Sequence, residues 1–197
     1  MPEDPRSRRC HTGQAWGRPK VAAVEVPRAE RPYMPDYGVD APSWDPLPWS
    51  WAAERLTVNR SFWVVTVSDH GRPHALPVWG VWDEDVRRFA FSCGPRARKA
   101  RNLAANPRAV IMVDDTVECL SVEGTARLVD DDQSRDHWID RYLAKYRPIS
   151  PAISADFLRQ NLIIEFAPER AFAVIEREEE FSTRATRWVF EHRPDRG

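Results

Sequence analysis

The sequence of 197 residues has few cysteines, almost no net charge and no long apolar run. Its three cysteines form no Cys-x-x-Cys pair, which argues against a disulfide scaffold or a structural zinc site and fits a reducing compartment. The 29 basic and 30 acidic residues leave a formal net charge of −1, so no global field attracts nucleic acid. The longest aliphatic and aromatic runs fall far short of the ~20 residues that a membrane span needs. The composition therefore predicts a protein without nucleic-acid or membrane partners.

Several functional motifs are also missing from the sequence. No apolar segment follows the charged N-terminus, which predicts no secretory signal and a cytoplasmic location. The Gly-x-Gly-x-x-Gly and P-loop patterns of nucleotide-binding α/β proteins are absent, and so is the Gly-x-Ser-x-Gly of serine hydrolases. The five histidines show no metal-ligand spacing, so we expect no bound metal.

Prolines divide the chain unevenly, because nine of the 17 fall within the first 48 residues. Proline fixes φ and lacks a backbone donor, so this part cannot sustain a helix or a central strand. We predict a flexible tail over residues 1–31. A proline- and aromatic-rich arm over 32–48 either lies on the domain surface or is loosely ordered. Residues 49–192 form the predicted folded domain.

Hydrophobic periodicity within this domain predicts mostly short strands. The predicted strands are 61–68, 73–82, 87–93, 108–114, 117–129 with a bulge at Gly124, a hairpin of 161–166 and 171–176 that turns at 167–170, and 187–190. The predicted helices are 50–60, 95–105 and 130–146, and the acidic run 178–180 reads as a solvated loop. The pattern predicts a mainly β fold with appended helices, and an antiparallel barrel rather than a doubly wound sheet.

The segment 93–108 is strongly basic in an otherwise balanced chain. It holds no acidic residue, and a helix that starts near Pro95 would direct its free N–H groups outward there. Cations at a helix N-terminus favour an anion, most naturally a phosphate, whereas the alternative is a solvated charged face. The cations of this segment are Arg96, Arg98, Lys99, Arg101 and Arg108.

An apolar strand, 74–80, precedes the basic segment. Val78 and Trp79 could form a floor under a flat ring, although ordinary core packing is the alternative. Pro77 requires a strand edge or a bulge, because it has no N–H to donate. His74 could donate a proton, or it could be a surface residue. Cys93 could be a nucleophile, but a small side chain that permits close packing is the favoured interpretation.

Four segments of the chain resemble the split β-barrel flavin and deazaflavin oxidoreductases, the superfamily of pyridoxamine 5′-phosphate oxidase. The segments are GRPHALPVWGVW, FAFSCGPRARKARNLAANPRAVIMV, VEGTARLV and ATRWVF, and the R-x-R-K-x-R-N-L-x-x-N-P block is the most specific part. The resemblance implies a homodimeric, six-stranded antiparallel split β-barrel with each cofactor in a groove shared by the two protomers. The implied cofactor-binding residues are Pro77, Val78, Trp79, Ser92, Arg96, Arg98, Lys99, Arg101, Asn102 and, near the partner's cofactor, Trp188.

The basic block also resembles the branch of the family that uses the deazaflavin coenzyme F420 more than the branch that uses FMN. F420 carries a polyglutamate tail besides its phosphate, so extra cations such as Arg96 or Arg101 would have a use. The predicted function is an oxidoreductase that binds F420, or alternatively FMN, and transfers a hydride to or from a small organic substrate. The alternative is a non-catalytic flavin- or haem-binding storage or sensor protein on the same barrel. No catalytic side chain is assigned.

Overall fold

The computed structural model describes residues 25–39 and 42–191. Within these residues the chain forms eight strands, five α-helices and one short 3-10 helix, Pro35–Tyr37. The strands are β1 (Arg28–Glu30), β2 (Ser61–Val67), β3 (Pro73–Asp83), β4 (Arg88–Cys93), β5 (Arg108–Val113), β6 (Glu118–Leu128), β7 (Leu162–Ile175) and β8 (Thr186–Val189). The helices are α1 (Trp49–Val58), α2 (Arg98–Ala105), α3 (Asp132–Tyr146), α4 (Ala155–Arg159) and α5 (Glu178–Arg184).

Six of the strands close into an antiparallel barrel. The order β7-β4-β3-β2-β5-β6 returns to β7, because β6 pairs with β7 along almost its whole length. Strand β8 pairs with the second half of β7, and β1 continues the sheet beyond β8. Closure leaves the six barrel strands with no free outer edge strand, which is how such folds avoid edge-to-edge pairing. The predicted fold class, a mainly β protein built on a six-stranded antiparallel barrel, is confirmed.

The predicted hairpin of 161–166 and 171–176 is wrong, because both segments belong to the single long strand β7. The residues predicted to turn the chain instead form an irregularity within β7, where Glu169 has no partner residue on β6. The register shifts between Glu123 and Gly124, and Pro168 pairs with Gly124 at that point. A bulge tolerates a proline in a strand, because the ladder is already interrupted there. The ladder is irregular at Gly124, as predicted, but the extra residue of the bulge is Glu169 on β7.

Helices α4 and α5 are absent from the sequence-based prediction, and the predicted loop at the acidic run 178–180 is wrong. These three glutamates form the first turn of α5. Carboxylates at this position face the positive end of the helix dipole and stabilise it. Arg177, just before the helix, holds the turn through ion pairs to Glu180 and Glu118.

Two hydrophobic cores lie on opposite sides of the barrel wall. The first fills the barrel and includes Phe62, Phe89, Phe91, Phe166 and Trp188. The second lies between the outer face of the barrel and helices α3 and α4, and it includes Val81, Ala90, Trp138, Ile139, Tyr142, Tyr146 and Leu158. Because successive side chains of a strand point to opposite faces, β3 and β4 contribute to both cores. The second core fixes α3 against the wall where the candidate site lies.

The N-terminal part of the described chain is attached to β8. Strand β1 takes in three residues that the sequence analysis assigned to the tail, and it pairs with Arg187–Val189. The arm is held by the Trp44 indole N–H, which donates to the Ala185 carbonyl at 2.8 Å, and by the Leu47 N–H, which donates to Thr186 at 2.9 Å. Residues 1–24 of the predicted tail and the last residue of the predicted domain lie outside the described residues. The division into tail, arm and barrel stays a prediction.

In the part of the chain that the structure describes, no helix is long and apolar enough to cross a membrane.

Substitution of Gly124, which lies opposite the bulge in β7, tests the packing of the barrel wall. We expect Gly124→Ala to lower the free energy of unfolding by about 1–3 kcal/mol, the usual cost of overpacking. A Cβ at this position would lie 2.1 Å from the Ala167 carbonyl oxygen and 2.8 Å from the Phe166 ring. The first of these contacts is backbone and cannot rotate away. Urea unfolding followed by circular dichroism measures the change.

Gly94→Ala is the matched control for this variant. Its Cβ would meet only the Asn161 side-chain oxygen, at the ordinary contact distance of 3.8 Å. The control should leave the stability unchanged or raise it by up to about 1 kcal/mol, because alanine restricts the unfolded chain. Equal losses in the two variants would contradict the assigned packing.

Candidate active site

The central feature of the site is the place where β3 and β4 separate. The two strands pair from Gly80 to Asp83 on β3 and from Phe91 to Arg88 on β4, and the ladder stops there. Trp79 and Ser92, the next residues along each strand, no longer bond to each other. The Tyr142 hydroxyl of α3 lies between them, donating to the Trp79 carbonyl and accepting the Ser92 N–H at 3.1 Å. One side chain thus satisfies two backbone groups that strand separation leaves without a partner.

A second tyrosine, one helical turn further along α3, extends this bridge. The Tyr146 hydroxyl accepts the Gly80 N–H at 2.7 Å and donates to the Arg60 carbonyl at 2.8 Å. Its ring stacks on Trp79 with centroids 4.7 Å apart and planes 5° from parallel. Burial raises the pKa of both tyrosines, so each hydroxyl keeps its proton and can donate. The pair fixes the backbone and the indole of Trp79.

Lys145 lies between the two tyrosines in sequence and against the same strand. Its ammonium group donates to the Gly80 carbonyl at 3.0 Å and lies 5.0 Å from the Phe62 ring centroid. No carboxylate pairs with it among the described residues. Burial therefore lowers the pKa of Lys145 to about 8.

The first cavity of the site opens beside the separated strands and has a volume of about 600 Å³. Its walls come from the ends of β3 and β4, from α3, and from the segment 150–161 that includes α4. The lining residues are Trp79, Ser92, Cys93, Gly94, Tyr142, Ser150, Ala152, Ile153, Phe157, Leu158 and Asn161. None of these side chains carries a charge at neutral pH, because burial raises the pKa of the Cys93 thiol against the opposing effect of Lys99.

The second cavity has the opposite character. It has a volume of about 520 Å³ and lies between the β2–β3 turn and the outward face of α2. Three arginines line it, Arg72, Arg98 and Arg101, with Asn102 and the turn residues Ser68, Asp69 and His70. Asn102 is buried, and its amide donates to the Thr66 hydroxyl at 2.9 Å, which fixes α2 to β2. Such a set of cations suits an anionic ligand.

The N-terminus of α2 lies between the two cavities. Arg98 lines the second cavity, whereas the charge of the next residue, Lys99, acts on Cys93 in the first. Both cations also act on His74 of β3. Burial, together with the Arg98 and Lys99 charges, lowers the pKa of His74, so its imidazole is neutral at pH 7. The cationic helix start therefore faces the first half of β3.

That half of β3 has an open edge. Residues Pro73–Trp79 pair with β2 on one side, while β4 joins the other side only from Gly80 onward. Pro77 occupies this singly paired part, where its missing N–H costs no ladder bond on the open side. Leu76 is 44 % exposed although it is apolar. The backbone and side chains of this stretch are thus accessible next to Arg98 and Lys99.

The structure brings most of the sequence-predicted site residues to this region but not all of them. Trp79 and Ser92 line the first cavity, and Arg98, Arg101 and Asn102 line the second. Pro77 lies on the open edge, and Arg96 is exposed, with its carbonyl accepting from Arg101 at 3.0 Å. Val78 points into the barrel core.

Trp188 is the clear exception. It is 0 % exposed and packs edge-on against Trp49 at a centroid distance of 5.7 Å. A side chain with no exposed surface cannot contact a cofactor in a groove. In this structure Trp188 therefore belongs to the barrel core and not to the site.

Four parts of the site are not predicted from the sequence, namely Tyr142, Lys145, Tyr146 and the segment 150–161. The two tyrosines stand at helical spacing and read as part of the apolar stripe of α3. Their hydroxyl partners lie 50 or more residues away along the chain, so no local pattern reveals them. Only α4 had a usable signal, since Ser154 caps it by accepting the Phe157 N–H.

Comparison with known proteins agrees with this architecture. Residues 51–175 match the family model described as pyridoxamine 5′-phosphate oxidase. The chain belongs to the pyridoxamine 5′-phosphate oxidase family, a family of oxidoreductases with flavin-type cofactors.

Individual relatives are distant. A pyridoxine/pyridoxamine 5′-phosphate oxidase from Burkholderia ambifaria is 30 % identical over 141 residues, 69 % of this chain and 63 % of the relative, so the match spans under two thirds of that protein. The conserved hypothetical protein Rv2991 from Mycobacterium tuberculosis has a TM-score of 0.56 at 15 % identity, covering 77 % of this chain and 93 % of its own. HutZ, the haem storage protein from Vibrio cholerae, has a TM-score of 0.53 at 20 % identity, and the match covers 63 % of this chain and 92 % of HutZ. The two solved structures show that the fold is shared.

Removal of the Tyr142 hydroxyl tests whether it bridges the Trp79 carbonyl and the Ser92 N–H. Tyr142→Phe leaves the Trp79 carbonyl and the Ser92 N–H without a partner, so we expect the free energy of unfolding to fall by about 1–3 kcal/mol. Amide hydrogen exchange at Ser92 should become at least several-fold faster. Tyr37→Phe is the control, because Tyr37 is 62 % exposed. Unchanged exchange at Ser92 in Tyr142→Phe would show that the hydroxyl does not bridge the strands.

The lowered pKa of Lys145 predicts a pH dependence of stability. Between pH 8 and the ordinary lysine value of 10.5, the unfolded chain binds more protons at this residue than the folded chain. The contribution of Lys145 to stability therefore rises with pH in this window and is at its lowest below pH 8. We expect the unfolding free energy of the wild type, minus that of Lys145→Met, to increase between pH 7 and pH 10. Urea unfolding at both pH values measures it, and a constant difference would contradict the buried ammonium.

Proposed function

We propose that the protein is an oxidoreductase that binds the deazaflavin coenzyme F420, or alternatively FMN, and transfers a hydride to or from a small organic substrate. The observation that carries the proposal is the cationic start of α2 beside the open edge of β3. A planar redox cofactor with an anionic end needs these two features next to each other. The family membership of the chain supports the class of reaction.

The residues present fit the anionic end of such a cofactor. Arg98, Lys99 and Arg101 follow the strand end at Cys93, and Arg72 adds a fourth cation from the β2–β3 turn. Among the residues that line the second cavity, Asp69 is the single acid, and it pairs with His70 at 3.8 Å. A phosphate would receive charge-assisted hydrogen bonds from this set, and the free N–H groups of the helix start would add to them.

The open edge of β3 fits the planar part. A heterocycle laid along residues 75–77 would meet accessible backbone groups on one side of the strand, because β4 does not cover them. Trp79 ends this stretch, and its ring is held by the Tyr146 stack and by the Arg60 guanidinium 5.0 Å from its centroid. Such fixed groups orient a cofactor with little loss of entropy on binding.

The number of cations favours F420 over FMN. One phosphate group can be held by two of them, and the remaining arginines would then lie free in a cavity. A polyglutamate tail would supply carboxylates for Arg101, Arg72 and the exposed Arg96. FMN, with a single phosphate, would leave these charges without a partner.

We also propose that a second copy of the chain completes the groove. The open edge of β3 carries the exposed Leu76, and the neighbouring strand β2 carries Trp63, which is also partly exposed. Apolar side chains beside an accessible strand edge are typical of surfaces that a partner covers. A homodimer with a shared cofactor groove would bury them.

In this mechanism the chain binds and orients the cofactor and excludes water from it, while the cofactor, when bound, supplies the hydride chemistry. Arg98 and Lys99 would hold the anionic end. The tyrosine pair would hold the Trp79 backbone at a fixed distance from Ser92. His74, neutral at pH 7, can accept a proton.

A second candidate, a non-catalytic haem- or flavin-binding protein, rests on the same neutral imidazole. A neutral histidine nitrogen can ligate haem iron. Addition of haem would then give a Soret band that His74→Ala abolishes, and the protein would reduce no acceptor. Tight F420 or FMN binding with turnover of an acceptor would exclude this candidate.

Titration with cofactor tests the main proposal. Oxidised F420 and FMN are each added to the purified chain, and binding is followed by fluorescence quenching. We expect a micromolar or tighter Kd for F420 and a weaker one for FMN. Failure of both to bind at micromolar concentration would overturn the oxidoreductase assignment.

Lys99→Ala tests the position of the anionic end. Loss of a charge-assisted hydrogen bond should weaken cofactor binding by at least about 1.5 kcal/mol, roughly tenfold in Kd. Arg170→Ala is the control, because Arg170 is an exposed arginine on β7 that lines neither cavity. An unchanged Kd in Lys99→Ala would place the phosphate elsewhere.

A further inference from the structure

We propose that the first cavity is the substrate site, and that it accepts a neutral, apolar, flat organic molecule and rejects phosphorylated ones. The role as a substrate site rests on the proposed function, whereas the binding preference follows from the cavity itself. The cavity has room for such a ligand, since about 600 Å³ lies within the usual range of small-molecule sites.

The preference for a neutral ligand follows from the distribution of charged residues between the two cavities. The lining of the first cavity has no arginine, lysine, histidine, aspartate or glutamate, and most of its surface is apolar. A phosphate ester placed there would lose its hydration without gaining a paired cation, which costs several kcal/mol or more. The arginines lie instead in the second cavity, on the other side of the α2 start.

The polar groups of the first cavity suit a neutral ligand. Ser92, Ser150 and Asn161 contribute hydroxyl and amide groups. The Asn161 amide nitrogen already donates to the Phe157 carbonyl at 2.8 Å, so its oxygen is the group left for a ligand donor. A few hydrogen-bonding groups within an apolar lining orient a molecule such as a quinone or an enone without requiring charge.

The cavity has a fixed wall and an exposed apolar rim. Tyr142 ties Trp79 to Ser92 on the barrel side, and Leu158 and Ile153 belong to the second core. Phe157 lines the cavity and is nevertheless 55 % exposed. An apolar ligand would cover this ring, which gives binding a hydrophobic driving force.

The cavity also adjoins the proposed cofactor position. Trp79 ends the open edge of β3 and lines the cavity, and Cys93, which precedes α2, lines the cavity and is within reach of the Lys99 charge. A molecule in the cavity would therefore lie beside a ring placed along residues 75–77. The relatives named as pyridoxine/pyridoxamine 5′-phosphate oxidases act on a charged phosphate ester, and the lining of this cavity offers no cation for that phosphate.

Ala152→Trp tests the inference by filling the cavity from a residue that contributes only a methyl group. The probes are menadione, a neutral quinone, and pyridoxamine 5′-phosphate, each measured by equilibrium dialysis against the full chain with and without F420. We expect the wild type to bind menadione at least tenfold more tightly than pyridoxamine 5′-phosphate. Ala152→Trp should raise the Kd for menadione at least tenfold and leave the Kd for F420 within twofold.

Ile149→Ala is the control, because Ile149 is an exposed apolar residue next to the segment 150–161 that does not line the cavity. It should leave both Kd values within twofold. Menadione binding that Ala152→Trp does not change would overturn the inference, even if F420 binds. A loss of F420 binding or of the oligomer in Ala152→Trp would also overturn it, because the cavity would then hold the cofactor or a second copy.

The two proposals fail separately in this design. If F420 and FMN do not bind, but menadione binds and Ala152→Trp removes it, the proposed cofactor fails while the neutral ligand site stands. Tighter binding of pyridoxamine 5′-phosphate than of menadione would overturn the charge argument directly.

Discussion

The structure depends on the hydrogen bonds that one tyrosine hydroxyl makes between two strands. In a fully closed barrel every strand is paired on both sides along its length. Where two neighbouring strands separate, some of their backbone groups lose their strand partners and need others. Here β3 and β4 diverge beyond Gly80 and Phe91, and Tyr142 supplies the missing acceptor and donor. Because the hydroxyl belongs to α3, the opening in the barrel wall and the position of the helix are fixed together.

This constraint places two chemically different spaces on either side of one short helix. The divergence leaves β4 free to end at Cys93 and the chain to enter α2, whose start carries adjacent cations. Arg98 and Lys99 point in directions about 100° apart around the helix axis. Arg98 therefore lines the second cavity, whereas the charge of Lys99 acts on Cys93 in the first. The arginine-lined cavity and the uncharged cavity are therefore a consequence of where the strand ends, and a ligand with one anionic and one planar part would use that separation.

Sequence reasoning recovers what local patterns determine. Alternating strands and the cationic start of α2 were predicted because each depends on residues close together in the chain. The prediction of a hairpin at Pro168 was wrong, because a proline in a bulge and a proline in a turn have the same local sequence pattern until the partner strand is known. Tyr142 and Tyr146 were missed for a similar reason, since their role depends on where distant strands diverge. Trp188 was assigned to the groove through family resemblance alone, and its burial against Trp49 corrects that assignment.

The segment 150–161 determines the character of the first cavity independently of the barrel. The barrel closes through β6 and β7 without any contribution from this segment, whereas the first cavity takes six of its lining residues from it. Substitutions here change the charge and shape of the cavity at little cost to the barrel core, because only Ile153 and Leu158 are buried in the second core. A single cation at Ser150 or Ala152 would face the ligand and supply the partner that a phosphate needs. The uncharged lining is thus the feature of this chain on which the proposed preference for a neutral ligand rests.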